Sequence, residues 1–355
     1  MRSANGRPAV TSPVPRAVWE SLLDADPGAV VTQSLAWHDA LLAGGRYQDV
    51  SLLYDFPSGQ QVLLPMVRPR HTPAWAATMA SWPRDWGIGG PISRGGDVGP
   101  AEAAAVLADL AGRRTLATEI QLRHGASDAW LSQASQFRVE ECRLQSYVLS
   151  LAGGFERVWQ DRFRGTARTA MRKAERAGLE VEVDRSGRLL PQFWELHEKS
   201  IQRWAAMQHE PAWLTRWRTT RATPFRMLES VAECFGTSCS VWLARSDGEP
   251  VAGLIVLSAG GYAKYWKGAM DKQQAGPLRA NELLHRLAIQ DACQRGCRFY
   301  DMGWTRPASP LAAFKEKLGA TAHVAYTLRA ERVPLQAART AATKLAKRAI
   351  GFQDA

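Results

Sequence analysis

The stretch YAKYWKGAMDKQQAGPLRANELLHRLAIQDACQRGCRFYDMG occupies residues 262–303. Its first nine residues, aromatic side chains interrupted by polar ones, predict a strand. PLRANELLHRLAIQDACQRG (277–296) reads as a helix of about five turns, ended by Gly296. CRFYDMG (297–303) returns as a strand. Just upstream, SVWLARS (240–246) and PVAGLIVLS (250–258) flank DGE, a hairpin signal. Downstream come a short helix, PLAAFKEKLG (310–319), and a last strand, TAHVAYTLRA (321–330). A hairpin, a third strand, a helix and a further strand define an α/β arrangement. It predicts mixed, mostly antiparallel sheets flanked by helices.

The first half runs in a similar order. VSLLYDF (50–56) and QQVLLPMVR (60–68) are joined by the turn sequence PSGQ and read as a hairpin. AEAAAVLADLAGRR (101–114) follows as a helix, TEIQLRHG (118–125) as a strand, DAWLSQAS (128–135) as a short helix and CRLQSYVLSL (142–151) as a strand. The similarity is one of order, without sequence identity. It predicts a domain over residues 1–150, a second over 151–330 beginning with an arginine-rich helix, and a basic C-terminal helix over 331–355. In that tail Leu335, Ala338, Ala342, Leu345 and Ala349 share a face beside Lys344, Lys347 and Arg348. It reads as a docking helix, with peripheral membrane or nucleic-acid contact as the alternative.

The chain has 355 residues, 45 Lys plus Arg against 34 Asp plus Glu, and a net charge of +11. That surplus attracts polyanions. Apolar runs are too short for a membrane span, and the N-terminus lacks the apolar core of a secretory signal, so a cytoplasmic location is expected. The five cysteines, at 142, 234, 239, 293 and 297, form no CxxC pair. They predict reduced thiols, no disulfide framework and no metal. No GxSxG or HxxxH pattern supports a hydrolase or metalloenzyme. His285 and Cys293 lie eight apart on one helix face, but no acid completes a triad, and His285 reads as a packing residue.

Within FRGTARTAMRKAERAGLEVEV (163–183), Arg164, Arg168, Arg172 and Arg176 recur every four residues. On a helix such steps drift only about 40° each, which places the four guanidinium groups on one face. Like charges at this spacing destabilise a helix by a few tenths of a kcal/mol per pair, and only Glu175 offsets them locally. With Lys173, the stripe is read as an anion-binding surface for tRNA phosphates or the diphosphate of a nucleotide-linked acceptor. The alternative is a solvated face.

Three further stretches complete a pattern. VTQSLAWHDALL (31–42) has a Gln-Ser pair before a helix that begins near a tryptophan. WGIGGPIS (86–93) carries a Gly-Gly-Pro turn, and RTAMRKAERAGLEVEV (168–183) an arginine-rich helix running through a glycine into a strand. Together with residues 265–303 and 310–320, they resemble the Fem-like (FemAB/FemX-type) acyltransferases of the GNAT superfamily. Tyr265, Asn281, Asp301, Gly303, Phe314, Lys315 and Gly319 fall where that pattern expects them. The resemblance covers about residues 30 to 325 and implies tandem GNAT-type acyltransferase domains. It also implies aminoacyl-tRNA as donor and an amine acceptor, on a peptidoglycan precursor or a secondary metabolite, with no bound cofactor and no DNA partner. Residues 198–224 are too short for the helical arm of some relatives, so the chain resembles the armless forms.

Acyl-CoA enzymes of this superfamily hold a pyrophosphate on a glycine-rich loop and helix N-terminus. Here DKQQAGPLRANELL (271–284) offers one glycine, Gly276, followed by Pro277, which has no N–H. That disfavours CoA and leaves an acyl-CoA N-acyltransferase as the runner-up. A non-catalytic RNA- or envelope-binding protein is the alternative of another class. Ester aminolysis requires loss of an amine proton, stabilisation of an oxyanion and protonation of the leaving hydroxyl. Lys315 is the candidate for the charge and Asp301, at the C-terminal end of a strand, for orienting or deprotonating the amine. Trp304 and Arg306 are candidates to line the same mouth. Tyr265 and Lys267, on one strand face by period two, join Asn281 and Phe314 as substrate contacts, with Trp266 turned to the core.

Overall fold

Pro65 divides the apolar run 61–68 into two strands, Gln61–Leu64 and Val67–Pro69, that enter different sheets. A proline donates no ladder hydrogen bond, so the chain leaves one sheet there and joins the next. Gln61–Leu64 pairs with Leu52–Asp55 as a hairpin, Leu52 opposite Leu64, in a four-stranded antiparallel sheet with Ala9–Thr11 and Ile92–Ser93. Val67–Pro69 pairs instead with Tyr47–Asp49, so the two arms of the expected hairpin continue into the second sheet.

The computed structural model describes residues 7–83, 86–123, 125, 128–333, 335–349 and 352. The chain divides into two units. The first comprises Met1–Ser146, Trp304–Pro307 and His323–Pro334; the second comprises Tyr147–Gly303, Ala308–Ala322 and Leu335–Ala355. Most of the strand Thr321–Glu331 thus groups with the first unit, because Thr327–Glu331 pairs antiparallel with Ala117–Gln121.

In the first unit, the helix Pro100–Gly112 buries Ala103, Val106, Leu107 and Leu110, the i, i+3, i+4, i+7 face that its sequence pattern predicts. Gln33 is fully buried, accepts from Val30 N and donates to Gly90 O at 2.8 Å. Ser34 caps the helix Leu35–Ala43 by accepting from Trp37 N. The turn at 86–93 is therefore glycine-rich for packing: a Cβ on Gly90 would lie 2.5 Å from Gln121 O.

The second unit is ordered Glu180–Asp184, Cys239–Ser246, Glu249–Ala259, Tyr262–Met270, Phe299–Thr305. The first four strands are antiparallel neighbours, and the last pair is parallel. A parallel pair requires a crossover, which the helix Ala280–Gln294 supplies with Leu283, Leu284, Ala288, Ile289 and Ala292 buried. The single long helix expected from 277 is instead two, Lys272–Leu278 and Ala280–Gln294, separated by Arg279 at φ 58°. The segment 198–224, too short for the arm, contains the helix Ala212–Ala222. Leu335–Ala349 is helical, and no helix among the described residues is long and apolar enough to cross a membrane. Cys234, Cys239, Cys293 and Cys297 are free thiols.

Candidate active site

The parallel ladder between Tyr262–Met270 and Phe299–Thr305 has three registered pairs, Tyr262↔Phe299, Ala263↔Tyr300 and Lys264↔Asp301. At its last pair Lys264 Nζ donates to Asp301 Oδ2 at 2.6 Å, and both side chains are buried. Asp301 Oδ1 accepts from Gly303 N at 2.7 Å, which closes the turn after the strand. Gly303 takes φ +72°, the left-handed region that glycine enters at no steric cost. Asp301 therefore does not present a free carboxylate to an amine, as the sequence pattern allowed. Its two oxygens hold a lysine and a backbone N–H. Lys264, which no motif or spacing singles out, is its partner.

Lys315 also reaches this point from the helix Pro310–Lys317, capped by Ser309, whose hydroxyl accepts from Ala312 N at 3.1 Å. Its side chain is 2 % exposed, donates from Nζ to Gly303 O at 2.9 Å and lies over the Tyr147 ring at 5.6 Å. Burial lowers its pKa to about 8; Asp301 opposes that shift and Lys264 adds to it. At neutral pH Lys315 is mostly cationic, and it loses its charge at lower pH than a solvated lysine.

One layer away, His285 Nδ1 and Tyr300 Oη are 3.1 Å apart, and the imidazole packs edge-on to Tyr265 with centroids at 4.7 Å. Burial and then the charge of Lys315 lower the His285 pKa to about 3, so the ring is neutral. Burial pushes Tyr265 up to about 12 and Tyr300 well above the usual phenol range. Both phenols are donors at any physiological pH.

Tyr265 and Lys267 do not share a face. Val256 pairs with Tyr265 and Ile255 with Lys267, so Trp266 is the extra residue of a β-bulge. Directly opposed residues share a face and successive ones alternate. Val256 and Ile255 are successive, so Tyr265 and Lys267 lie on opposite faces. Tyr265 meets His285, whereas Lys267 Nζ donates to Thr223 Oγ1 at 3.0 Å. Trp266 is half-buried rather than core. Gly268 accommodates the bulge: a Cβ there would overlap the Tyr265 phenol.

A pocket of about 270 Å³ lies between the arginine-rich helix Gly165–Arg176 and the start of Ala280–Gln294. Lys173, Arg279 and Lys317 are its cations, Thr166 and Thr169 its hydroxyls, Phe314 part of its apolar wall. Glu282 is its one carboxylate, 3.8 Å from Arg279. Asn281, two residues after Arg279, donates to Met270 Sδ. Trp304 and Arg306 group with the first unit.

The four-residue stripe is not four equivalent cations. Arg164 is the N-cap, in extended conformation, and lies 3.9 Å from Glu316. Arg168 donates from Nη1 to the carbonyls of Trp159, Gln160 and Phe163 at 3.0, 2.7 and 3.0 Å. It closes the end of the preceding π-helical turn, whose carbonyls have no helical partner. Arg172 sits over the Trp159 ring, and Arg176 donates to Arg172 O at 3.3 Å. Glu175 pairs with Arg286. Arg172, Lys173 and Arg176 are the exposed cations of the helix itself.

The short helix Lys272–Leu278 begins at Asp271, whose Oδ1 accepts from Gln273 N at 3.1 Å and Gln274 N at 3.5 Å. Asp271 Oδ2 accepts from Lys199 Nζ at 3.2 Å. A carboxylate thus occupies two N–H groups at the start of this short helix. Among the described residues no cluster of His, Cys, Asp and Glu is placed to hold a metal ion.

Residues 161–316 match a family model described as an acetyltransferase (GNAT) domain. Among solved structures the chain is similar to FemX, at 12 % identity and TM-score 0.63, covering 90 % of this chain and 96 % of that one. It is similar to a conserved protein of unknown function from Bacteroides thetaiotaomicron VPI-5482, at 8 % identity and TM-score 0.58, covering 90 % and 98 %. L-PGS from Bacillus licheniformis follows at 14 % identity and TM-score 0.52, covering 99 % and 100 %. No curated protein matches the sequence. These likenesses establish the fold: a Fem-like acyltransferase fold with a GNAT domain over residues 161–316, and mixed, mostly antiparallel sheets flanked by helices.

Proposed function

We propose that this chain, with its Fem-like GNAT acyltransferase fold, transfers an aminoacyl group from aminoacyl-tRNA to an amine on a peptidoglycan precursor or a secondary metabolite. The observation that carries this reading is Asp271. Its carboxylate fills the helix N-terminus that would otherwise receive a CoA pyrophosphate. A donor whose phosphates are held elsewhere by side chains fits better, and Lys173, Arg279 and Lys317 around the pocket, with Arg172 and Arg176 outside it, are suited to that task. The likeness to FemX and L-PGS is consistent with an aminoacyl donor.

In this reading the acceptor nitrogen bonds to the ester carbonyl carbon, the carbon–oxygen bond to the tRNA hydroxyl breaks, and the amine proton ends on that leaving oxygen. Lys315 supplies positive charge near the developing oxyanion or an adjacent phosphate. Asp301 acts by fixing Lys264 and the Gly303 turn, to whose carbonyl Lys315 is tied. Phe314, in the pocket wall, and Asn281 contact substrate in the second unit; Tyr265 joins them only through the packing of His285, and Lys267 lies on the opposite face. A donor drawn from the charged tRNA pool implies cytoplasmic action.

The test is incubation with charged tRNA and an amine acceptor, and separately with acetyl-CoA. Amide formation from charged tRNA alone is expected. Turnover of acetyl-CoA without turnover of charged tRNA would overturn the reading.

A further inference from the structure

A cavity of about 520 Å³ in the first unit has no part in the reaction above. Four arginines line it: Arg113, Arg138, Arg329 and Arg332. Arg138 and Arg332 are exposed at its mouth, and such a concentration of one charge around a concave surface attracts anions.

The carboxylates offset two of the four. Asp109 accepts from Arg113 Nε at 2.8 Å and is itself held by Tyr54 Oη at 2.7 Å. Arg329 is bound by Glu119 and, from Nε, by Glu331 at 2.6 Å. Arg138 and Arg332 have no carboxylate partner among the described residues; Arg332 spends one N–H on Arg113 O at 3.2 Å, at the C-terminal end of the helix Pro100–Gly112. That helix end carries partial negative charge, and Arg113 and Arg332 lie against it. Among the described residues, the remaining N–H groups of Arg332 and the whole fork of Arg138 have no hydrogen-bond partner. Thr115, Thr118 and Ser135 add hydroxyls, while Leu110 and Phe137 give the cavity an apolar side.

We propose that this cavity binds a phosphate-bearing small molecule, with Arg138 and Arg332 as the phosphate ligands and Phe137 beside its organic part. Two planar forks recognise phosphate bidentately, which lysines at the same places would not. The volume lies within the range that encloses a nucleotide-sized ligand. A simple carboxylate would engage one fork and leave the second unneutralised, so a diphosphate matches the pair better. The site rests on first-unit residues alone and holds whichever donor the second unit uses.

Calorimetry with inorganic pyrophosphate and with ADP, at constant ionic strength, tests it. Saturable binding below about 1 mM is expected, tighter for ADP than for pyrophosphate. Arg138→Gln with Arg332→Gln should weaken both at least about tenfold. Arg138→Lys, which keeps charge but loses the fork, should also weaken them. The exposed pair Arg7→Gln with Arg226→Gln removes the same charge elsewhere and should leave binding unchanged. Thermal unfolding of each variant checks that it is folded. No saturation by about 10 mM, or equal losses in the two double variants, overturns the proposal. Neither result bears on amide formation from charged tRNA, which is measured separately.

Discussion

Lys264 and Asp301, 37 residues apart in sequence, form a 2.6 Å ion pair buried at the last rung of the parallel ladder. Removing one partner of such a pair leaves an uncompensated charge and typically costs about 3 to 5 kcal/mol. Asp301→Asn is therefore expected to lower the chemical-denaturation midpoint substantially. Lys264→Met added to it should recover part of the loss, because only one of the two buried lysines beside residue 301, Lys315, then remains charged. Wild-type stability for Asp301→Asn would show that the pair is solvated in solution.

Lys315 links pH to both stability and turnover. Its folded pKa, about 8, lies below its unfolded value, so its buried cation opposes folding throughout the range below 8. Between about 8 and 10.5 the unfolded chain holds the proton more tightly, and stability attributable to Lys315 rises with pH. Turnover should move the other way, falling as pH passes about 8 if the cation is the working form. Lys315→Ala should lower turnover at least about tenfold, or about 1.4 kcal/mol. A pH–rate profile flat from 7 to 9.5, with an unaltered rate in Lys315→Ala, would place the chemistry elsewhere.

The arginine-rich helix should separate into structural and binding positions. Arg168→Gln removes donors from three carbonyls and is expected to cost about 1 to 3 kcal/mol of stability. Arg172→Gln with Arg176→Gln should leave stability nearly unchanged and weaken tRNA binding. The log–log salt slope should become shallower by roughly 1.5 units, since two phosphates are then no longer neutralised. A weaker complex with an unchanged slope would mean that these side chains act through packing, Arg172 over Trp159 above all.

Gly268→Ala tests the bulge. The added Cβ would meet the Tyr265 phenol, which packing against His285 holds in place. A loss of about 1 to 3 kcal/mol is expected from such overpacking, partly recovered by Tyr265→Phe in the same chain. A fully stable Gly268→Ala protein would show that Tyr265 leaves the His285 ring freely.

Acetyl-CoA should give no saturable heat at roughly tens of micromolar, because Asp271 competes for the same N–H groups. Low-micromolar binding in that titration would contradict the donor assignment.

What the sequence determined is local. The period of Pro100–Gly112 and of Ala280–Gln294, the turn at Asp247 and Gly248, and the position of Asp301 on a strand before a glycine were all legible, since each depends on spacing within one segment. The tertiary structure alone decided the bulge at Trp266, because its place follows from which residues of Glu249–Ala259 stand opposite. It also decided that Lys264 neutralises Asp301, that Arg168 closes a π-helical turn rather than facing solvent, and that Lys315 is buried. Charge partners and desolvation arise between segments distant in the chain. Periodicity fixes a residue's face on its own element and carries no information about what that face will meet.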